Sequence, residues 1–405
     1  MTRFGDFAPL CRNTPSYTWC NLFYRQLSDD SSLKSILTGL SADANSAPVG
    51  INPVCGIAKS GTTINGPHQG SGKSLGNIAN IVVCAVSMLV ILGLIVGSQK
   101  RKAAVGRVEL RNLLVIYFLT LPFQLLTTGA VLEQGSTALV ALTAIHAGLV
   151  AAFFWALIMN ALIATQKIED GTPAALVPYF LFCAAFFAGT TYIAFDVALG
   201  ITTALGPSND PSELRSIPLF VLTSVWPAAA SVLYFAIMAY IVLAVLNETR
   251  PMWYYILSAG LFVLSQLAWF LLGKVICEGS TSKIDGSFIA TILETAAVSV
   301  LYLAWRSITE GSSQLRYHLI TLVLLLWLLS YVTVHRAFFT VWRTFYELRG
   351  LCFRFQWNPT SHLGCICFCG PEAHLQNDLD GTVSSARPSI WWRIHLRPSY
   401  SFQPL

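Results

Sequence analysis

Charge is what this chain lacks. Asp, Glu, Lys and Arg make up 11% of its 405 residues, where an ordinary soluble protein carries about 25%. At about 150 residues per domain the length would fit two or three soluble domains, but so few charges cannot cover their surface. Long stretches hold almost no charge at all, so lipid is the solvent for much of the molecule. That excludes a cytosolic enzyme, a nucleic-acid binder and a disordered scaffold. The net charge of +5 is small and reads as loop charge that sets orientation, not as a polyanion-binding face. The apolar runs also lack a period of two, which excludes a lipid-facing barrel. The first 77 residues have no long apolar segment of the kind a cleavable signal needs. A hydrolase elbow, an intramembrane protease dyad and an acidic glycosyltransferase motif are all missing, and no cofactor is implied.

What is present is apolar bulk: 54% hydrophobic residues, 12% aromatics and a mean hydropathy of +0.60. A bilayer core of about 30 Å takes about 20 apolar residues per helix, and seven such runs can be read. They cover roughly Ile78–Val96, Leu113–Leu132, Thr137–Ala164, Ala174–Leu199, Ile217–Leu246, Met252–Ile276 and Phe288–Trp305. Turn residues separate them, among them Gly171-Thr172-Pro173, Gly206-Pro207 and Arg250-Pro251. The expected fold is all-α, a polytopic bundle of seven transmembrane helices. Residues 1–77 form a polar head, 78–305 the membrane domain and 306–405 a C-terminal extension. The first run is followed by Lys100-Arg101-Lys102, Arg107 and Arg111 and preceded closely only by Lys73. The excess of positive charge puts that loop in the cytosol and the N-terminus on the lumenal side.

On that topology Cys11, Cys20 and Cys55 lie in the lumenal head, and Cys277 opens a lumenal loop. Four thiols in an oxidising compartment suggest two disulfides, with three connectivities open. Cys84 and Cys183 lie inside spans and read as small core residues. Cys365, Cys367 and Cys369, with His362 and His374 nearby, lack the paired Cys-x2-Cys spacing of structural zinc sites.

Three polar residues sit within spans, where burial makes them costly: His146, Asp196 and Glu294. A proton-coupled transporter could use them, and a seven-span receptor would share the topology. The receptor reading lacks the acidic-Arg-aromatic triplet after the third span, which instead ends Ala164-Thr165-Gln166-Lys167. Gly70-Ser71-Gly72-Lys73-Ser74 imitates a phosphate-binding loop, but Pro67 stands where the upstream glycine is needed. In the third span Ala147, Gly148, Ala151 and Ala152 form a small-residue patch suited either to packing inside the bundle or to a partner helix.

Several loop motifs in order carry a resemblance. The chain starts Phe4-Gly5-Asp6-Phe7 with Cys11, Cys20 and then Cys55. Its first loop reads Ala104-Val105-Gly106-Arg107 with Glu109, and its second Gln166, then Glu169-Asp170-Gly171-Thr172-Pro173. Near the end come Ile276-Cys277, Asp285-Gly286, Phe288, Ala290-Thr291, Tyr302, Trp305 and Ser307-Ile308-Thr309. Over residues 1–310 the chain resembles the fungal chitin synthase export chaperone family. The resemblance implies a non-enzymatic protein of the endoplasmic-reticulum membrane that helps chitin synthase fold and leave in coat vesicles. Its implied partners are chitin synthase, vesicle coat components and the lipid bilayer. Glu169, Asp170, Gly171, Thr172 and Pro173 are the expected cytosolic interaction turn. The chain departs from the family pattern in residues 59–76, at Glu294 in place of an amide, and in about 95 residues after Glu310. Leu319–Val334 in that extension is marginal for an eighth span, with Arg316 and Arg336 at its two ends. The extension reads either as a spanning or amphipathic addition or as translated non-coding sequence. The abrupt end of the resemblance favours the second.

Overall fold

The computed structural model describes residues 3–14, 17–24, 26, 77–100, 105–128, 131–132, 135–202, 214–280 and 284–309, together with the backbone of 353–354 and 365–366. Residues 1–343 and 344–405 are separate units. In the second, Phe353–Arg354 pairs antiparallel with Cys365–Ile366. The P-loop-like segment, Cys55, the candidate eighth span and the side chains of the cysteine-rich tail lie outside the described residues.

Among the described residues the first unit holds seven helices long and apolar enough to cross a membrane: Ile78–Gln99, Arg107–Thr128, Thr137–Ala164, Pro173–Leu199, Ile217–Val245, Arg250–Phe270 and Gly286–Thr309. Each closes its own backbone hydrogen bonds, as a segment in hydrocarbon must. Their ends follow local chemistry. The Asn77 side chain accepts from the Asn80 N–H, and the Ser136 hydroxyl accepts from the Leu139 N–H. Pro173 opens the fourth span at its first turn, and Gly200, with φ +66°, ends it in the left-handed region.

The two bounds that differ most from the expected ones, and one internal feature, have physical reasons. The second span begins at Arg107, six residues early, because Glu109 is buried and bonded and so belongs to the helix. The sixth stops at Phe270, and a separate short helix, Gly273–Gly279, carries Cys277. The break lets the two chain segments touch: a side chain on Gly286 would meet Gly273 Cα at 2.7 Å. The fifth span holds a π-helical turn near each end, Val221–Val225 and Ile241–Val245, which apolar periodicity does not reveal.

The spans alternate in direction, so the bundle has two ends. At the head end, the described residues between 3 and 26 pack into the bundle. Phe7, Cys11, Leu22 and Phe23 are almost fully buried against Ala147, Val197, Leu214 and Leu219. A second, larger core fills the rest of the bundle, around Leu113, Leu114, Ala161, Tyr179 and Ala304. The seventh span lies deepest and the sixth is the most exposed.

Candidate functional site

A seam of paired polar side chains joins the first, second and seventh spans. At the head end the Asn77 amide donates to Asp285 Oδ2 at 3.3 Å and to the Thr128 carbonyl at 3.4 Å. One turn further in, the Asn80 amide donates to the Thr128 hydroxyl, and the Thr291 hydroxyl donates to Asn80 Oδ1 at 3.2 Å. The Gln124 amide reaches Thr291 Oγ1 at 2.8 Å. Deeper still, the Thr295 hydroxyl donates to Ser87 at 2.9 Å and lies 3.1 Å from the Tyr117 hydroxyl. Asn77, Asn80, Gln124, Thr291 and Thr295 are all buried. Lipid offers no partner to such groups, so a satisfied seam fixes which helices meet and in what register. The signal was in the sequence: Asn77, Asn80, Cys84 and Ser87 recur at helical spacing, as do Ser287, Thr291 and Thr295.

The three intramembrane groups do not form one site. His146 is buried, with its ring 5.4 Å from that of Trp19 and Nδ1 3.5 Å from the Thr127 hydroxyl. Asp196 holds the turn after the fourth span, accepting from the Thr202 N–H and, at 3.0 Å, from the Thr202 hydroxyl. Glu294 accepts from the Gln266 amide of the sixth span at 3.2 Å. Among the described residues no cluster of three or more His, Cys, Asp or Glu side chains is placed to hold a metal ion.

At the head end Cys11 is joined to Cys20 in a disulfide, with Cα atoms 5.7 Å apart. Cys277 is also disulfide-bonded, to a residue outside the described set. Cys84 and Cys183 are free, buried thiols. The opening motif docks like a short strand: the Phe7 N–H donates to the Leu214 carbonyl at 2.8 Å, and the Asp6 backbone forms an isolated antiparallel β-bridge with that of Arg215. Gly5 has φ +83°, and a side chain there would meet the Ile217 backbone at 3.0 Å. Burial raises the Tyr17 phenol well above its ordinary pKa, partly offset by a hydrogen bond with Ser224.

At the opposite, loop end the other motifs converge. The Gly106 N–H donates to Asp170 Oδ2 at 2.9 Å, and the Gly171 N–H donates to Glu109 Oε1 at 2.8 Å. The Trp305 indole donates to the Val105 carbonyl at 2.8 Å. Tyr179 and Asn160 both reach the Glu109 carbonyl at 3.4 Å. Glu109 is fully buried in the first turn of its helix, where the dipole favours a negative charge, and among the described residues its Oε2 has no partner. Gly106 and Gly171 both have φ +69°, which explains glycine at each. Glu169, Asp170 and Gly171 stay exposed. Within the turn, the Thr172 hydroxyl donates to the Glu169 carbonyl at 2.7 Å. The sequence showed the turn but not its attachment to Glu109, which joins residues 62 positions apart.

The small-residue patch is an internal contact. Ala147, Ala151 and Ala152 are buried, and a side chain on Gly148 would fall on the Thr191 hydroxyl and 2.7 Å from the Phe187 carbonyl. It packs the third span on the fourth, so the partner-helix reading of that patch is set aside.

Seven spans, a side-chain seam between helices and motif-bearing turns at both ends define a multi-pass membrane bundle whose spans are joined by hydrogen bonds. The family model of the chitin synthase export chaperone matches residues 3–316, and the chain belongs to that family. Proteins named chitin synthase export chaperone are among its relatives. That of Chaetomium globosum is 30% identical over 313 residues, covering 76% of this chain and 83% of the relative. That of Neurospora crassa is 28% identical over 320 residues, covering 76% and 78%. That of Cryptococcus neoformans is 28% identical over 234 residues, covering 58% and 61%. No solved structure matches the chain at a significant level.

Proposed function

We propose that this protein is a chaperone of the endoplasmic-reticulum membrane that helps a chitin synthase fold and leave for the cell surface, and so supports cell-wall chitin synthesis without catalysing a reaction. The observation that carries the reading is the family match, which runs through all seven spans from residue 3 to residue 316. Orientation follows from charge. Lys100, Arg101, Lys102, Arg107 and Arg111 follow one another closely in sequence between the first two spans, an excess of positive charge that supports a cytosolic loop end and a lumenal head. A disulfide between Cys11 and Cys20 fits an oxidising compartment. Cys55 is then the natural partner of Cys277, the remaining cysteines of the lumenal side.

The cytosolic turn Glu169–Pro173 is the surface we assign to contact with client loops or coat components. It is exposed, yet held at fixed height by Asp170 and Gly171. The lipid-exposed spans, the sixth above all, are available to a client's own helices.

The test is localisation. Deleting the gene should retain chitin synthase in the reticulum while other cargo reaches the surface, and restoring this chain should release it. Normal surface delivery of the synthase in the deletion would end the reading.

A further inference from the structure

Most polar side chains inside the bundle are fully enclosed and mutually bonded. Glu294 is not. It is the ninth residue of the seventh span, about 12 Å along the helix from its head-end start at 1.5 Å per residue. It lies between two sides of that helix: neighbouring Thr291 and Thr295 face the first span, while Glu294 bonds to the sixth. Oε1 accepts from the Gln266 amide, and among the described residues nothing donates to Oε2. The Gln266 amide nitrogen is occupied by Glu294 and by Ser265 at 3.2 Å, and among the described residues nothing donates to its carbonyl oxygen. Both residues are only half-buried. Val263, Leu264 and Leu267 beside them are 55%, 52% and 40% exposed, so this part of the sixth span faces the membrane.

With Glu294 ionised, the pair presents two acceptors and no free donor, at a depth where lipid tails supply no donor. A carboxylate in that setting is costly unless it takes up a proton or a donor-rich group is brought to it within the membrane. Water and lipid headgroups lie at the ends of the spans. The fitting occupant is another membrane helix carrying an amide, ammonium or guanidinium side chain at matching depth. We propose that Glu294 and Gln266 form an intramembrane docking site for such a helix of the client, shielding its polar residue until the client's own helices take it over. The proposal rests on the chaperone reading above and adds the place and the chemistry of contact.

The experiment uses the full chain in cells, with a photo-activated cross-linking residue at Leu264. A control probe sits at Leu181 of the fourth span, which is 62% exposed. Chitin synthase should be captured from Leu264 and not from Leu181. Glu294→Leu should lower the adduct about 3- to 10-fold, the usual weight of one hydrogen bond between membrane helices. Glu294→Gln, which keeps an acceptor, should leave most of it. Should Glu294→Leu reduce the protein's own level, Gln266→Leu takes its place, with the same fall expected. Unchanged capture in the Leu variant present at normal level, equal capture from both probes, or an adduct of two copies of this chain would overturn the proposal. Deletion of the gene separates the two claims. If deletion retains the synthase while a well-expressed Glu294→Leu protein exports it normally, the site is wrong and the chaperone reading stands. If deletion retains nothing, the chaperone reading itself fails.

Discussion

The two ends of the bundle are fastened by different means. At the head end, segments far apart in sequence are locked by enclosed side chains. Phe7, Phe23 and Leu22 fill a core between spans, Cys11 is bonded to Cys20, and Asn77, Thr128 and Asp285 share hydrogen bonds. At the loop end, two turns are held by two backbone N–H groups on two carboxylates and one indole on a carbonyl, with the acidic turn itself exposed. The first construction resists rearrangement. The second holds a surface in place while leaving it in reach of other molecules. A similar contrast separates the spans. In its most apolar stretch the seventh is 78% buried and the sixth 17%, so one acts as the post of the bundle and the other as its lipid-facing wall.

If this division is right, the largest stability losses belong to the head end. Replacing Cys11 and Cys20 together by Ser should cost about 3 kcal/mol, the usual weight of a disulfide closing a short loop. Thermal unfolding in detergent should show it, and an unchanged midpoint would mean that the buried aromatics alone hold the head. Gly148→Ala comes next, at about 2 kcal/mol, because the added methyl meets the Thr191 hydroxyl and the rigid Phe187 carbonyl. The same measurement checks it. A silent Gly148→Ala would show that the third and fourth spans can slide apart freely, against the close approach seen here.

Asn80→Leu should have a smaller effect, about 1 kcal/mol. The Thr128 and Thr291 hydroxyls that lose Asn80 keep their own carbonyl acceptors at Gln124 and Ser287, so neither is left bare. Thermal unfolding of the Asn80→Leu protein beside the disulfide variant gives the ratio of the two effects. A loss as large as that of the disulfide variant would move the seam from register-setting to load-carrying.

Much of this was legible beforehand, and the limits have physical causes. Seven helices followed from charge scarcity and run length, because in lipid the backbone has few alternatives. Helix ends were less legible wherever a charged residue was buried: Arg107 and Glu109 looked like loop but belong to the second span. The head's aromatic residues were misleading in another way. Phe7, Trp19 and Phe23 are spaced too irregularly to announce burial, yet a disulfide and a strand-like pairing with Leu214 fold them into the bundle. The intramembrane residues His146, Asp196 and Glu294 could be picked out by type. Their separate settings could not, since each depends on a partner from a distant segment.

The smallest expected effect on stability is at the loop end, and there the two acidic neighbours part company. The Glu169 side chain is exposed and makes no hydrogen bond to the described residues; only its carbonyl is used, by Thr172. Asp170 accepts from the Gly106 N–H, so Asp170→Ala should cost about 0.5–1 kcal/mol and Glu169→Ala nothing measurable. If the turn served only to end one helix and start the next, Glu169→Ala would be silent in every assay. If its acidity is read by a client loop or a coat component, Glu169→Ala should lower surface delivery of chitin synthase while leaving the protein's own abundance and melting unchanged. Glu169→Gln should behave like Glu169→Ala, since what is lost is charge and not size. Asp170→Asn keeps an oxygen for Gly106, so it separates the two roles of the neighbouring acid: any fall in export there reports charge, because the turn remains attached. Delivery at the normal rate in both Glu169 variants would reduce this surface to a well-fastened turn.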